Sequence, residues 1–277
     1  MDIFLRIYVI ILVGDTMAYK VELQNIQKKF QYNEEVMDIV EKAFAGMAKY
    51  YDPYGYFNRV YDLFLNVRII PYDIGTSEFE EKENLMRMYS DKTEEEIKNH
   101  TMSEVGELLT KREGEHLTHT VIVRRFDGKV PIATVIHELI HGLVTDSFVT
   151  EHDGKKCIRS GFSREYFDPA YTTNHFIEEG FTEYDTKMIC ELMNYEFKES
   201  YPIEVDYVST IMENSYLKEL VMKTRVEGKN YIDSIENSSL KKSLNEFINA
   251  LESIKKLGFL KQIRAINNNK DSMKKVL

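Results

Sequence analysis

The chain contains little cysteine, and this limits the ways in which it could bind a metal. Its 277 residues include two cysteines, Cys157 and Cys190, which are not spaced as a CxxC pair. Two cysteines cannot form a disulfide framework, and a zinc site built from thiolates needs more of them at closer spacing. Any metal site must therefore use histidine and carboxylate side chains.

Positive charge is also scarce. Lysine and arginine total 36 against 46 aspartate and glutamate residues, which leaves a formal net charge of −10. An acidic surface repels phosphate backbones, and no cluster of Lys and Arg alternates with aromatic residues, so we expect no nucleic-acid partner. Glycine and proline number only 13 and 5, whereas 43% of the residues are hydrophobic. The composition therefore predicts a folded globular protein.

Long apolar runs are absent as well. A helix that spans a bilayer needs about 20 apolar residues, and residues 3–13 form a shorter run that Arg6 interrupts. Three interpretations of this segment stay open: a weak export signal, an ordinary first strand, or an upstream extension before a true start at Met17. We expect no transmembrane span, and the cytoplasm is slightly favoured over secretion or membrane association.

The pattern of apolar residues predicts helices in the first part of the chain. Asn33 can cap a helix whose apolar stripe ends at Asp52-Pro53. A second amphipathic stretch over residues 56–67 leads into the β-like segment Arg68–Ile70. Pro71 is expected to stop this strand, because proline cannot donate a ladder hydrogen bond.

The middle of the chain predicts strands between helices. Charged sequence with a helical pattern runs from Ser77 to Glu115, with a capping box at Thr93–Glu96. The clearest strand is His119–Phe126, closed by the turn pair Asp127-Gly128. From Tyr201 onward the pattern is mostly helical. Strands in the middle and helices on both sides predict an α+β fold that is predominantly α.

Three ionisable residues interrupt an otherwise apolar helix that Pro131 can start. They are His137, Glu138 and His141, and burying them is costly unless something binds them. The two histidines are four residues apart on one face, so their nitrogens can converge on one ion. Glu138 lies about 100° further round the helix, close enough to touch a water on that ion without being a ligand. The alternative is a core helix whose histidines are hydrogen-bonded to neighbouring groups.

A third ligand must come from elsewhere in the chain. Zinc at a catalytic site takes three protein ligands and keeps one position for water. The motif HExxHxxGxxH of the metzincins is excluded, because Val144 and Ser147 occupy the positions after His141. Glu179 and Glu183 lie four residues apart on one face of a second predicted helix. One carboxylate can bind the metal while the other accepts a hydrogen bond from a ligating histidine.

The same carboxylates have another interpretation. Glu178, Glu179 and Glu183 could form a solvated acidic face, with Glu183 and Lys187 as an ordinary helical i,i+4 pair. Glu178 is also the main alternative to Glu179 as the metal ligand.

The sequence from His137 to His141, HELIH, is followed 38 residues later by EGFTE, residues 179–183. This combination resembles the gluzincin clan of zinc metallopeptidases, which includes thermolysin, the aminopeptidases of the NEGFA type and anthrax lethal factor. The resemblance covers about residues 118–193, and Glu178 stands where the clan often has asparagine. It implies peptide hydrolysis and one Zn²⁺ per chain, with His137, His141 and Glu179 as ligands and Glu183 beside them.

The resemblance also implies a zincin-like core with a small mixed sheet, an active-site helix and a helical C-terminal subdomain. The expected division is an N-terminal segment over residues 1–18, a catalytic domain over 19–195 and the subdomain over 196–277. In the clan a Tyr or His near the third ligand stabilises the oxyanion, for which the candidates are Tyr171 and His175. Residues 118–123 have two equal interpretations: the substrate-binding edge strand that the clan has before its motif helix, or a central structural strand.

Two functional classes follow from these residues. One is a zinc-dependent peptidase that acts on a peptide or protein substrate, with Glu138 as general base and Tyr171 or His175 at the oxyanion. The other is a catalytically inactive zincin-like module that binds a protein partner. A structural zinc site is normally closed by four protein ligands. No fourth ligand is evident in the sequence, and this favours catalysis.

Overall fold

A computed structural model describes residues 22–89, 93, 95, 105–167 and 170–277. The three interpretations of the N-terminal segment concern residues outside this part of the chain. Of the predicted capping box at Thr93–Glu96, only Thr93 and Glu95 are described.

Helices dominate the described residues, and two small sheets accompany them. The helices are α1 (residues 22–30), α2 (Glu34–Tyr51), α3 (Phe57–Asn66), α4 (Ser77–Tyr89), α5 (Ile132–Val144), α6 (His175–Met193), α7 (Pro202–Met212), α8 (Ser215–Glu227), α9 (Ser238–Ile254) and α10 (Phe259–Lys274). The strands are β1 (Arg68–Tyr72), β2 (Gly106–Glu113), β3 (His116–Arg124), β4 (Thr150–His152), β5 (Lys155–Ser160), β6 (Ser163–Phe167) and β7 (Ala170–Thr173). The predicted class, α+β and predominantly α, is confirmed.

The first three predicted elements, two helices followed by a strand, are present as α2, α3 and β1. The Asn33 side chain accepts a hydrogen bond of 2.9 Å from the Val36 amide and so caps α2. However, the prediction that Pro71 stops the following strand is wrong, because β1 continues to Tyr72. The sheet order β1-β3-β2 places β1 at an edge. An edge strand tolerates proline where the missing N–H would face away from the sheet.

The prediction of helix from Ser77 to Glu115 is correct for α4 and wrong for residues 106–113. Those residues form β2, which pairs antiparallel with β3 through the register Glu113↔His116. Gly114 has a φ of +67° in the tight turn between the two strands. Pairing with the strongly β-like β3 therefore overrides the charged, helix-like composition of this segment.

The predicted strand at residues 119–126 is confirmed as β3, three residues earlier at its start. Asp127 and Gly128 both have positive φ, as a type I′ turn requires, and Phe126 and Lys129 exchange backbone hydrogen bonds across them. β1 pairs parallel with β3 and β2 pairs antiparallel. The small mixed sheet is therefore present, with β3 at its centre.

A second sheet, which the sequence pattern did not single out, has the order β4-β5-β6-β7 and is antiparallel throughout. Among the described residues, two apolar clusters fill the interior. One unites α2, α3, β1, β3 and α5, and the other unites α7 to α10. Helix α6 contributes Ile189 to the first cluster and Phe181 to the second. Across the described residues, none of the helices combines the length and apolarity that crossing a bilayer requires.

Candidate metal centre

Helix α5 is buried around almost its whole circumference, as its apolar sequence predicts. Pro131 precedes it at the N-cap position. His137 and Glu138 are buried within it, and His141 is partly buried. Gly142 allows α3 to approach closely, since a Cβ there would lie 2.9 Å from Leu63 Cδ1. The helix thus places two ionisable side chains in the interior and a third at its edge, where their charge is costly unless something binds them.

Helix α6 presents the second half of the site. It packs against α5 and α7, and Gly180 lies at its contact with α7. A Cβ at position 180 would lie 2.9 Å from the backbone oxygen of Glu204, so a larger residue would push the two helices apart. Close packing of α6 on α7 therefore explains why a glycine follows Glu179 in the EGFTE sequence.

The structure brings His137, His141 and Glu179 together. The two Nε2 atoms lie 3.1 Å apart, Glu179 Oε2 lies 3.2 Å from His137 Nε2, and Glu179 Oε1 lies 3.4 Å from His141 Nε2. Ligand atoms about 2 Å from a tetrahedral ion are separated by about 3.3 Å. Two imidazole nitrogens and one carboxylate also match the ligand types of a catalytic zinc site. These residues therefore fit a zinc ion in both spacing and chemistry.

Glu183 lies behind His137. Its Oε2 atom is 2.9 Å from His137 Nδ1, and its Oε1 atom accepts a hydrogen bond of 2.5 Å from the Ser200 amide. A carboxylate on Nδ1 favours the tautomer that carries its proton there and leaves Nε2 free to bind a cation. The alternative of a solvated acidic face is wrong, because Glu183 is buried and Lys187 pairs with Glu199 instead.

Glu178 is buried too, but it faces a different partner. The Arg225 guanidinium contacts Glu178 Oε1 at 2.7 Å and Asp185 Oδ2 at 2.6 Å. The other oxygen of Glu178 accepts a hydrogen bond from the Phe162 amide. This carboxylate is fully occupied away from the two histidines, so it is not the third member of the cluster.

Interactions within the cluster change the pKa values of His137 and Glu179. Burial lowers the pKa of His137, but hydrogen bonds with Glu179 and Glu183 outweigh it and raise this pKa to about 10. Burial also works to raise the pKa of Glu179, but His141 and His137 hold it well below its usual range. Without a bound ion, the positive charge that the carboxylates stabilise is the proton on His137, and a bound cation would replace that proton.

Glu138 lies beside this cluster without belonging to it. Burial raises the pKa of Glu138, and the charges of His137 and His141 only partly offset this effect. Strand β2 passes close by, because a Cβ at Gly106 would lie 3.3 Å from Glu138 Oε1 and 2.4 Å from Thr134 Cγ2. Of the two interpretations of residues 118–123, the edge strand is wrong and the central strand is confirmed, since they lie in β3. Among the described strands of this sheet, β2 is the edge nearest Glu138.

The two oxyanion candidates lie in different surroundings. His175 is half exposed, and its Nδ1 atom lies 3.6 Å from Glu179 Oε1. Tyr171 lies on β7, where its ring stacks on Tyr166 and contacts the Lys155 ammonium group. Its described contacts do not include the three clustered residues, whereas those of His175 do.

Sequence reasoning missed Tyr201. Its ring stacks on the His137 imidazole with centroids 5.8 Å apart and an angle of 14° between the planes. Tyr201 immediately precedes α7, so the packing of α7 on α6 brings it to the site. The only sequence signal was Pro202, which marks the helix start. A tyrosine at such a position becomes informative only after the helix packing is known.

Comparisons with protein-family models, curated proteins and solved structures find no match to this chain. The resemblance to the gluzincins therefore rests on the two short motifs and on the geometry that joins them.

The close approach at Gly106 leads to a testable prediction. We expect Gly106→Ala to lower the free energy of unfolding by about 1–3 kcal/mol, because the new methyl group would overlap the stiff β-branched side chain of Thr134. Denaturant unfolding measures this loss. Gly258→Ala is the control, since its Cβ would meet no atom within 4 Å and its backbone φ is −66°. It should cost only about 0.5 kcal/mol, because alanine is a poorer N-cap than glycine for α10. Equal stability of the two variants would contradict the observed packing of β2 on α5.

Proposed function

We propose that the protein is a zinc-dependent peptidase with a zincin-like core, in which His137, His141 and Glu179 bind one zinc ion. The observation that carries this proposal is the convergence of their three ligand atoms to within 4.8 Å of one another. The rest of the site supports it. The buried Glu183 carboxylate contacts the proposed ligand His137, and the Glu138 carboxylate lies beside the cluster without being a ligand.

Each residue has a defined part in the proposed reaction. A bound zinc ion supplies Lewis-acid chemistry, which lowers the pKa of water and polarises a carbonyl group. Glu138 accepts the proton from the attacking water and passes it to the leaving amine. Glu183 contacts His137 Nδ1 and so keeps the imidazole oriented with its Nε2 atom toward the other two ligands. Of the oxyanion candidates, His175 is favoured by its distance from Glu179.

Strand β2 offers a way to hold an extended peptide. In the described part of the sheet, β3 pairs with one side of β2. Within the described residues no strand pairs with the other side of β2, and we propose that a substrate strand forms its backbone hydrogen bonds there. Gly106 brings this strand to within contact distance of Glu138, so a peptide paired with β2 would pass the general base. A peptide substrate therefore suits the site better than a small amide would.

Metal analysis tests the proposal directly. We expect about one zinc per chain in the purified protein, and we expect its loss in His137→Ala, His141→Ala and Glu179→Gln. Chelator should lower the melting temperature of the wild type, because an ion that binds only the folded state stabilises it.

Two variants serve as matched controls for this measurement. His152→Ala removes a histidine from the second sheet, and Glu191→Gln removes an exposed carboxylate from the same helix as Glu179. Both should keep the zinc. Wild-type protein without zinc at neutral pH, or unchanged zinc in Glu179→Gln, would refute the proposed ligand set.

A further inference from the structure

The turn before α10 and its first residues expose an unusual amount of apolar surface. Twelve large hydrophobic residues are exposed in the described chain, and four of them lie within seven consecutive positions: Leu257, Phe259, Leu260 and Ile263. Leu260 and Phe259, at 82% and 67% exposure, are the two most exposed of the twelve. Clustered exposure of this kind marks an interaction site, whereas single exposed hydrophobics do not.

Leu257 lies in the turn before α10, and the other three lie in its first two turns; neither core cluster includes any of the four. Further along the helix, Ile266 and Met273 pack on the second apolar cluster. They lie one and two heptads after Phe259 and are nearly in line with it, so the exposed residues occupy the end of α10 that extends past this cluster. At about 100° per residue, Phe259, Ile263 and Leu260 follow one another over about a quarter of the helix circumference. They therefore form one continuous strip at the N-terminal end of α10.

The strip is surrounded by positive charge in a protein that is acidic overall. Residues 253–270 contain five Lys and Arg residues and no Asp or Glu, against a net charge of −10 for the whole chain. Lys255 pairs with Glu204 and Lys270 with Asp206. Lys256, Lys261 and Arg264 are exposed, and no ion pair involves them within the described residues. Three cations thus remain available beside the apolar strip.

We propose that residues 256–264 form a membrane-contact surface that binds anionic lipid bilayers. Apolar side chains on one arc of a helix enter the boundary between headgroups and acyl chains, while flanking Lys and Arg contact lipid phosphates. A protein partner fits less well, because a stable protein interface needs about 20–30 residues on each side and this surface has nine. The surface is independent of the proposed metal site, which lies on α5 and α6.

Vesicle cosedimentation of the full-length protein tests this proposal. We expect binding to vesicles of phosphatidylcholine mixed with phosphatidylglycerol, weaker binding to phosphatidylcholine alone, and a decrease as salt is raised. The double variant Phe259→Ser, Leu260→Ser should bind the anionic vesicles at least about tenfold more weakly, since it removes the most exposed apolar area. Tyr216→Ser is the matched control, because Tyr216 is exposed on α8 outside the strip.

A second variant isolates the contribution of charge. Lys261→Gln, Arg264→Gln should lose the preference for anionic vesicles while retaining its fold, because both side chains are exposed. Wild-type protein that binds neither vesicle would overturn the proposal. Binding that both double variants preserve would overturn it as well and would assign the contact to another segment, such as residues 3–13. A wild-type dimer that Phe259→Ser, Leu260→Ser converts to a monomer would assign the strip to a second copy of the chain.

Discussion

Glu138→Gln is expected to lower peptide cleavage by at least about 10²-fold, the usual contribution of a general base, while zinc content and melting temperature stay close to wild type. The amide has the same shape as the carboxylate but cannot accept the proton from water. Glu138 is not among the three residues whose ligand atoms converge, so its replacement removes no ligand. Turnover of a library of unstructured peptides measures the cleavage rate. Thermal melts measure the melting temperature, and metal analysis measures the zinc content.

The same measurements separate catalysis from a structural role. If Glu138 only supported the fold, its replacement would lower the melting temperature, and the rate would fall only as far as folded protein was lost. Glu191→Gln, on the exposed side of α6, is the control that should leave both quantities unchanged. A zinc-loaded Glu138→Gln variant that cleaves at the wild-type rate would remove Glu138 from the mechanism. Failure of the wild type to cleave any member of a broad library would favour an inactive module.

Arg225→Met is expected to destabilise the protein by about 3–5 kcal/mol, because it leaves two buried carboxylates without their cation. Arg225 is 1% exposed and joins Glu178 to Asp185. The burial of its guanidinium lowers the pKa of Arg225, but the two carboxylates outweigh this and raise it above its usual value. Tyr50 and Tyr51 donate their hydroxyl hydrogen bonds to the same Asp185. Denaturant unfolding measures the loss.

Two further variants test whether the expected loss of stability comes from the burial of the Arg225 ion cluster. Lys223→Met removes a cation from the same helix, where it forms an exposed i,i+4 pair with Glu219. It should cost no more than about 0.5 kcal/mol. The triple variant Arg225→Met, Glu178→Gln, Asp185→Asn removes all three charges and should regain much of the stability that Arg225→Met loses. An Arg225→Met variant as stable as Lys223→Met would contradict the buried ion cluster.

The sequence by itself was sufficient for the elements that local pattern encodes. The Asn33 cap, the Asp127-Gly128 turn and the helix that carries His137 and His141 were all predicted and are present. Each depends on residues within one or two turns of each other in the chain. Side-chain spacing, turn conformation and capping are properties of short segments, so a single sequence expresses them fully.

Longer-range features depended on the tertiary structure. Residues 106–113 look helical in isolation and become a strand because β3 offers a pairing partner. The strand at 118–123 was a candidate edge, yet its place at the centre of the sheet depends on β1, which arrives from about 50 residues earlier in the chain. Periodicity indicates which faces of an element are apolar, but not which elements lie beside it.

At the site itself, too, the sequence pattern did not predict which of two neighbouring carboxylates meets the histidines. Glu178 and Glu179 differ by one position, and both are buried. Arg225, 47 residues from Glu178, occupies that carboxylate and leaves Glu179 to the histidines. Tyr201 contacts His137 only because α7 packs on α6. The sequence determined which residues could bind a metal, and tertiary packing decided which of them meet, because burial and charge pairing are settled between distant segments.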